Sequence, residues 1–168
     1  MKITSIAVLN EFVKIHNSKK IGNLTVPIVM KYIHLCDIAY YEKYQERMIE
    51  DLTLYSDFGP FYEMIMRLLK CFGFKKEITF QIPLERYDIN GDSIGHYIPE
   101  VKEKRKLEII NLIYQTYSQL DYEKLLDLVS NKNMPAGIAK NKRAMYVEEK
   151  IFKEFHEKLK LIKNEEIK

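Results

Sequence analysis

Tryptophan is absent from this chain, and cysteine occurs only twice. Two cysteines without metal-ligand spacing make neither a disulfide framework nor a structural zinc site. Cys36 and Cys71 lie in apolar, helix-like patterns and read as free, buried thiols of a reducing cytoplasm. Glycine (six) and proline (five) are sparse across 168 residues. No Gly/Pro/Ser-rich linker therefore divides the chain, and no glycine loop is available to cradle a phosphate. No apolar run approaches the roughly 20 residues of a membrane span. The N-terminal stretch MKITSIAVLNEFVKIHN has no continuous apolar core or small-residue cleavage site, so no signal peptide is expected. The net charge of +3 is too small to argue for a nucleic-acid binder. Nine basic and six acidic residues between Lys140 and Lys168 account for all of it, which leaves the rest of the chain balanced.

What is present is a hydrophobic share of 46% and a charged share of 30%, which fits one soluble globular domain over 1–168. The stretch from Asn23 to Leu69 organises the reading. Thr25 is placed to cap a helix, and Pro27 falls in its first turn, where the missing N–H has no helical partner. Ile28, Tyr32, Leu35, Cys36 and Ala39 recur at helical spacing. A short extended run over 49–55 follows, then a turn at Ser56-Asp57 and Gly59-Pro60 that opens a second helix. Met64, Ile65, Leu68 and Leu69 form that helix's apolar side, and Gly73 caps its end beyond Cys71. Around this centre the expected elements are a first helix over 3–15, a strand over 78–82 and a hairpin turning at Asn90-Gly91. Helices follow over 102–117 and 122–129, then a loop over 130–142 and a last helix over 144–162 with Tyr146, Ile151, Phe152, Phe155, Leu159 and Ile162 on one stripe. The expected fold class is α+β: mainly helical, with a small antiparallel sheet.

Three apparent chemical motifs fail on context. Gly91-Asp92-Ser93-Ile94-Gly95 spells G-x-S-x-G, but a nucleophile elbow needs a buried strand before the serine and a long helix after it. Here a polar run precedes Ser93 and Pro99 follows closely. The stretch from Asp88 imitates the start of a calcium loop, yet the required Gly and Glu positions hold Ser93 and Pro99. His34 and Cys36 are two apart on a helix and point in different directions. His34 with Asp37 is two ligands, not a site, so His34 is expected to be a satisfied structural histidine. The twelve tyrosines pack inward or supply a protein interface. No catalytic residue, cofactor site or metal site is expected.

The order of Met30-Lys31-Tyr32-Ile33 on a Pro-capped helix, a short strand, then Tyr55-Ser56-Asp57-Phe58-Gly59-Pro60-Phe61 resembles the Panacea domain, an antitoxin-type family found on phages and mobile elements. The family's Gln-Lys is replaced here by Met30-Lys31, and its Tyr-Gly-Pro by Phe58-Gly59-Pro60. The resemblance covers about 24–140. Its second motif, a His and a Pro-Trp loop, is represented only by Asn131 or Asn133 and Met134-Pro135-Ala136.

The resemblance implies a cytoplasmic antitoxin that binds and neutralises a protein toxin encoded by an adjacent gene. An adaptor handing the toxin to a cellular protease, or a phage regulator binding a host protein or DNA, are the alternatives it leaves. A protease or a second copy of the chain are further partners it allows. No helix-turn-helix with a basic recognition helix supports DNA as the partner. The residues coinciding with the family motifs, Asp57, Phe58, Gly59, Pro60, Tyr62, Met134, Pro135 and Ile138, are the candidate partner-binding set. They are expected to lie on or beside one surface.

Overall fold

Helix α2 is the centre of the molecule, and its sequence shows why. Fourteen of its nineteen residues are buried. A helix that is apolar on nearly all sides has neighbours on nearly all sides. In the computed structural model, which describes the backbone of residues 1–70, 73 and 76–165 and the side chains of these up to 160, the order is α1 (Ser5–Lys19), α2 (Val26–Tyr44), β1 (Thr53–Ser56), β2 (Gly59–Tyr62), α3 (Glu63–Leu69), β3 (Leu84–Tyr87), β4 (Ser93–Tyr97), α4 (Lys104–Tyr117), α5 (Tyr122–Ser130), α6 (Pro135–Asn141) and α7 (Glu149–Glu165). The fold is α+β and mainly helical, with two antiparallel two-stranded sheets among the described residues. Helices α1, α4, α5 and α7 and strand β2 all pack on α2. One continuous apolar cluster runs through them, with Phe12, Tyr32 and Tyr114 in mutual ring contact.

Several elements depart from the sequence expectation, each for a local reason. Thr25 has the extended backbone of an N-cap but no side-chain cap bond. Pro27 removes one of the amides it would have reached, and Thr25 pairs instead with Glu77. Ile3 is not helical: it bridges Ile49, with Ile3 N–H on the Met48 carbonyl at 2.9 Å. Gly59-Pro60 does not open a helix directly. It begins β2, which pairs back on β1 from Ser56↔Gly59 to Thr53↔Tyr62. In α3 only Ile65 and Leu69 are buried, while Met64 and Leu68 are exposed. The helix ends at Leu69 with Lys70 as its C-cap, so Gly73 lies beyond its end and does not cap it. Cys71 and the side chain of Ile162 lie outside the described residues.

Residues 78–82 form no strand: Ile78 and Ile82 are buried, but Phe80, which strand alternation would place on their face, is exposed. Their backbone partners are not a strand. Ile78 N–H reaches the Leu24 carbonyl at 2.7 Å. Ile82 N–H donates to Asn10 Oδ1 at 2.7 Å, and Asn10 Nδ2 returns bonds to the Ile82 and Pro99 carbonyls. The Asn90-Gly91 hairpin forms, but not with a two-residue turn. Gly91 alone has positive φ (+88°), Gly91 N–H meets the Asp88 carbonyl and Asp88 N–H meets the Asp92 carbonyl. That is a three-residue loop with glycine in the left-handed position. The last helix starts at Glu149 and not near Ala144, because the segment before it is used as an edge. Tyr55 N–H bonds the Met145 carbonyl and Val147 N–H the Thr53 carbonyl.

A polar stripe runs down α2 inside this core. Lys31, His34 and Asp37 are each three residues apart, hence neighbours on one face, and all three are buried. Asp37 ends the stripe with an ion pair to Arg47. Its other oxygen accepts the N–H groups of Met48 and Ile49 at 2.7 and 3.2 Å. Arg47 also donates to the Val147 carbonyl (3.2 Å) and Thr53 Oγ1 (3.1 Å) and lies over the Phe152 ring. One guanidinium thus ties α2, β1, the edge segment and α7 together.

Removing only one partner of a buried pair strands the other charge. Arg47→Met should therefore cost about 3–5 kcal/mol. Adding Asp37→Asn, which drops the charge but keeps an acceptor for the two amides, should recover part of that loss. Urea unfolding of the parent, both single variants and the double variant measures the coupling. A double variant no more stable than Arg47→Met would show that the charge on Asp37 is not what the arginine offsets.

Candidate functional site

A groove of about 430 Å³ opens where α2, the β1–β2 hairpin, α3 and α5 meet. Its floor is Pro27, Met30 and Lys31 of α2, and one wall is Ser56, Phe58, Gly59, Pro60 and Phe61. Met66 of α3 and Tyr122 of α5 complete it. The turn at its rim is built by its own sequence. Ser56 Oγ accepts the Phe58 N–H at 3.2 Å, and Gly59 takes φ +92°, a value open to glycine without strain. Phe58 stands out from the tip at 76% exposure. Beyond Pro27 and Tyr122, which line both, a second depression of about 600 Å³ continues past Gly22, Ser118 and Asp121.

Among the described residues Lys31 is the one charged side chain lining the groove, and it is 1% exposed. Its ammonium donates to the Phe58 carbonyl at 2.9 Å and, at a longer 3.4 Å, to the Pro27 carbonyl of its own helix. It also lies 4.2 Å from the centre of the Tyr122 ring. Tyr122 donates its own hydroxyl to the same Phe58 carbonyl at 3.4 Å. Burial lowers the Lys31 pKa to about 8, with Glu123 pulling only partly in the other direction. Burial, reinforced by Arg47 and Lys31, lowers His34 to about 3, so His34 is neutral at ordinary pH. Among the described residues neither ring nitrogen of His34 has a hydrogen-bond partner. It is a structural histidine packed edge-on against Phe152, but not a satisfied one.

The candidate residues separate into three groups. Asp57 and Phe58 are exposed at the turn, and Gly59 and Pro60 are buried in β2 but line the groove. Met134 is half-buried, while Pro135 and Ile138 are buried in α6 and none of the three lines the groove. The expected loop around them is helix α6 (Pro135–Asn141), with Pro135 in its first turn. Gly137 is needed there because a Cβ would sit 2.0 Å from the Asn131 carbonyl oxygen.

The two regions are neighbours nonetheless. Lys140 of α6 lies 3.8 Å from Asp57 and faces the Tyr55 ring. Tyr62, expected at the surface, is fully buried beneath the hairpin. Charge at Tyr62 or Ile138 would therefore unfold the protein before it could report on a surface. Among the groove residues that the candidate set left out are Lys31, Met66 and Tyr122. Lys31 carried a signal: it stands three residues before His34 on a helix whose other faces are apolar. Tyr122 carried none, since its position over Lys31 is decided by how α5 packs on α2. Among the described residues no group of three or more His, Cys, Asp or Glu side chains could hold a metal ion.

Two expectations follow from this geometry. A side chain at Gly59 meets both an unfavourable φ and Leu126 Cδ1 at 3.1 Å. Gly59→Val should cost on the order of 1–3 kcal/mol, and an unchanged denaturation midpoint would show the turn to be ordinary. For Lys31, the folded pKa of about 8 lies below the unstructured value of 10.5. Between those values the unfolded chain holds a proton the folded chain has lost, so stability rises with pH. The parent should gain stability relative to Lys31→Met between pH 8 and 10.5. A stability difference that is flat over that window would contradict the buried placement of the ammonium.

Residues 29–135 fit the family described as "Antitoxin SocA-like, Panacea domain". The match takes in the groove's floor and walls, except Pro27, and the first residue of α6. No curated protein and no solved structure matches the chain. Among the described residues no helix is long and apolar enough to cross a membrane. Because the matched span exceeds half of the sequence and carries α2, the β1–β2 hairpin and α5 in family order, the chain belongs to the antitoxin SocA-like, Panacea domain family.

Proposed function

We propose that this protein is the antitoxin of a phage- or mobile-element-type toxin–antitoxin pair, and that it neutralises a protein toxin encoded by the neighbouring gene by occupying part of its surface. The observation that carries the reading is the groove. It is built from the segments that carry the family resemblance, it is lined mainly by apolar side chains, and Phe58 projects from its rim. An aromatic side chain standing beside an apolar recess is the arrangement in which interface energy concentrates. On this reading the action is binding and not turnover. Cytoplasmic residence accords with Cys36, a thiol that is free and buried.

The test is co-expression in a bacterial host with the product of the adjacent gene. The parent chain should restore growth, and Phe58→Asp should abolish rescue while leaving the melting temperature and helical circular dichroism unchanged. Phe58 is exposed enough for an aspartate to be tolerated by the fold. Ile89→Asp, at the fully exposed tip of the β3–β4 hairpin, serves as the control and should still rescue. Growth arrest that persists with the parent chain, or rescue unaffected by Phe58→Asp, would overturn the reading.

A further inference from the structure

Three basic side chains are buried among the described residues: Arg47, Lys106 and Lys31. Arg47 is paired with Asp37, and Lys106 lies 2.6 Å from a Glu103 oxygen. Among the described residues Lys31 has no carboxylate in ion-pair contact. Its partners are two carbonyls and an aromatic ring. A buried, unpaired charge is costly, and the usual remedy is a counter-charge from the same chain. Here, among the described residues, that counter-charge is missing at a buried cation that faces a groove.

We propose, building on the docking reading above, that the groove receives a segment of the protein partner that places a carboxylate against Lys31 between apolar side chains. The lining fits such an occupant. Met30 and Met66 are flexible and adapt to the shape of an incoming side chain, while Phe61, Pro60 and Tyr122 are stiff apolar walls. The long bond from Nζ to the Pro27 carbonyl is the one a carboxylate oxygen would replace with gain, since hydrogen bonds between charged groups are the stronger kind. Gly59 keeps the approach open: the position its Cβ would fill is 3.6 Å from Nζ. The titratable groups nearest the ammonium are Tyr122 and Glu123 of α5 and His34 of α2. Burial raises the Tyr122 hydroxyl and keeps His34 neutral. Glu123 is exposed and acts only at a distance.

The probe is the blocked tripeptide leucyl-glutamyl-phenylalanine amide, compared with its glutamine counterpart and with decanoate, by NMR titration of the isolated protein. The glutamyl peptide should bind about tenfold more tightly than the glutaminyl peptide at pH 7. That preference should vanish in Lys31→Met and be partly kept in Lys31→Arg. In the parent it should decline as pH rises from 7 to 9.5, a readout that requires no variant to fold. Equal affinity for the two peptides, a preference that survives Lys31→Met, or binding of decanoate without either peptide would each overturn the inference. This outcome is independent of toxin rescue. Rescue lost with the peptide preference intact would count against the antitoxin reading alone, and rescue intact with no preference would count against the carboxylate alone.

Discussion

The ion pair between Asp37 and Arg47 is the interaction on which the remaining architecture depends. Asp37 is fully buried, and burial raises its carboxyl pKa against the opposing pull of the guanidinium and two backbone amides. Such a group is tolerable only if its partners arrive together. The partners of the pair come from four parts of the chain: the Met48 and Ile49 amides on Asp37, and the Thr53 hydroxyl, the Val147 carbonyl and the Phe152 ring on Arg47. Meeting those demands at once positions the chain after α2, starts β1 and sets the edge segment that precedes α7. An apolar core of the same volume would favour burial without specifying which segments meet.

From Asp37 the polar stripe leads through His34 to Lys31, and along it satisfaction falls. Both oxygens of Asp37 accept hydrogen bonds, whereas among the described residues His34 has both nitrogens unpartnered and Lys31 has neutral partners only. The well-satisfied end holds the hairpin in place. The under-satisfied end opens at the groove, under the turn that the hairpin presents. A rigid element carrying an incompletely paired group at its surface end is a sound basis for recognition, because the fold has already met the cost of ordering it.

The β1–β2 hairpin shows how position in the fold changes a residue's meaning. Phe58, Gly59, Pro60 and Tyr62 are nearly consecutive, yet Phe58 is exposed, Gly59 and Pro60 line a recess and Tyr62 is wholly buried. Strand alternation carries Tyr62 inward opposite Thr53, and the turn's positive φ at Gly59 carries Phe58 outward. The β3–β4 hairpin is the contrast. Almost all of its strand residues are exposed, so its register rests on the Gly91 turn and backbone pairing and not on a buried face.

The sequence by itself determined the helical character of the chain, the central place of α2, its start at Thr25 and Pro27, the turn at Gly59 and the family. Each of these is a local matter: a period, a cap, a turn residue, or an order of short motifs. Tertiary structure alone decided that Asp37 pairs with Arg47, that Tyr62 and Ile138 lie inside, that residues 135–141 are helical, and that Lys31 faces a groove beneath Tyr122. Those outcomes depend on which faces of distant segments meet, and burial is a property of the meeting and not of the residue. The groove belongs to this second class. Pro27 and Tyr122 are far apart in the chain and become its opposite sides only because α5 packs on α2.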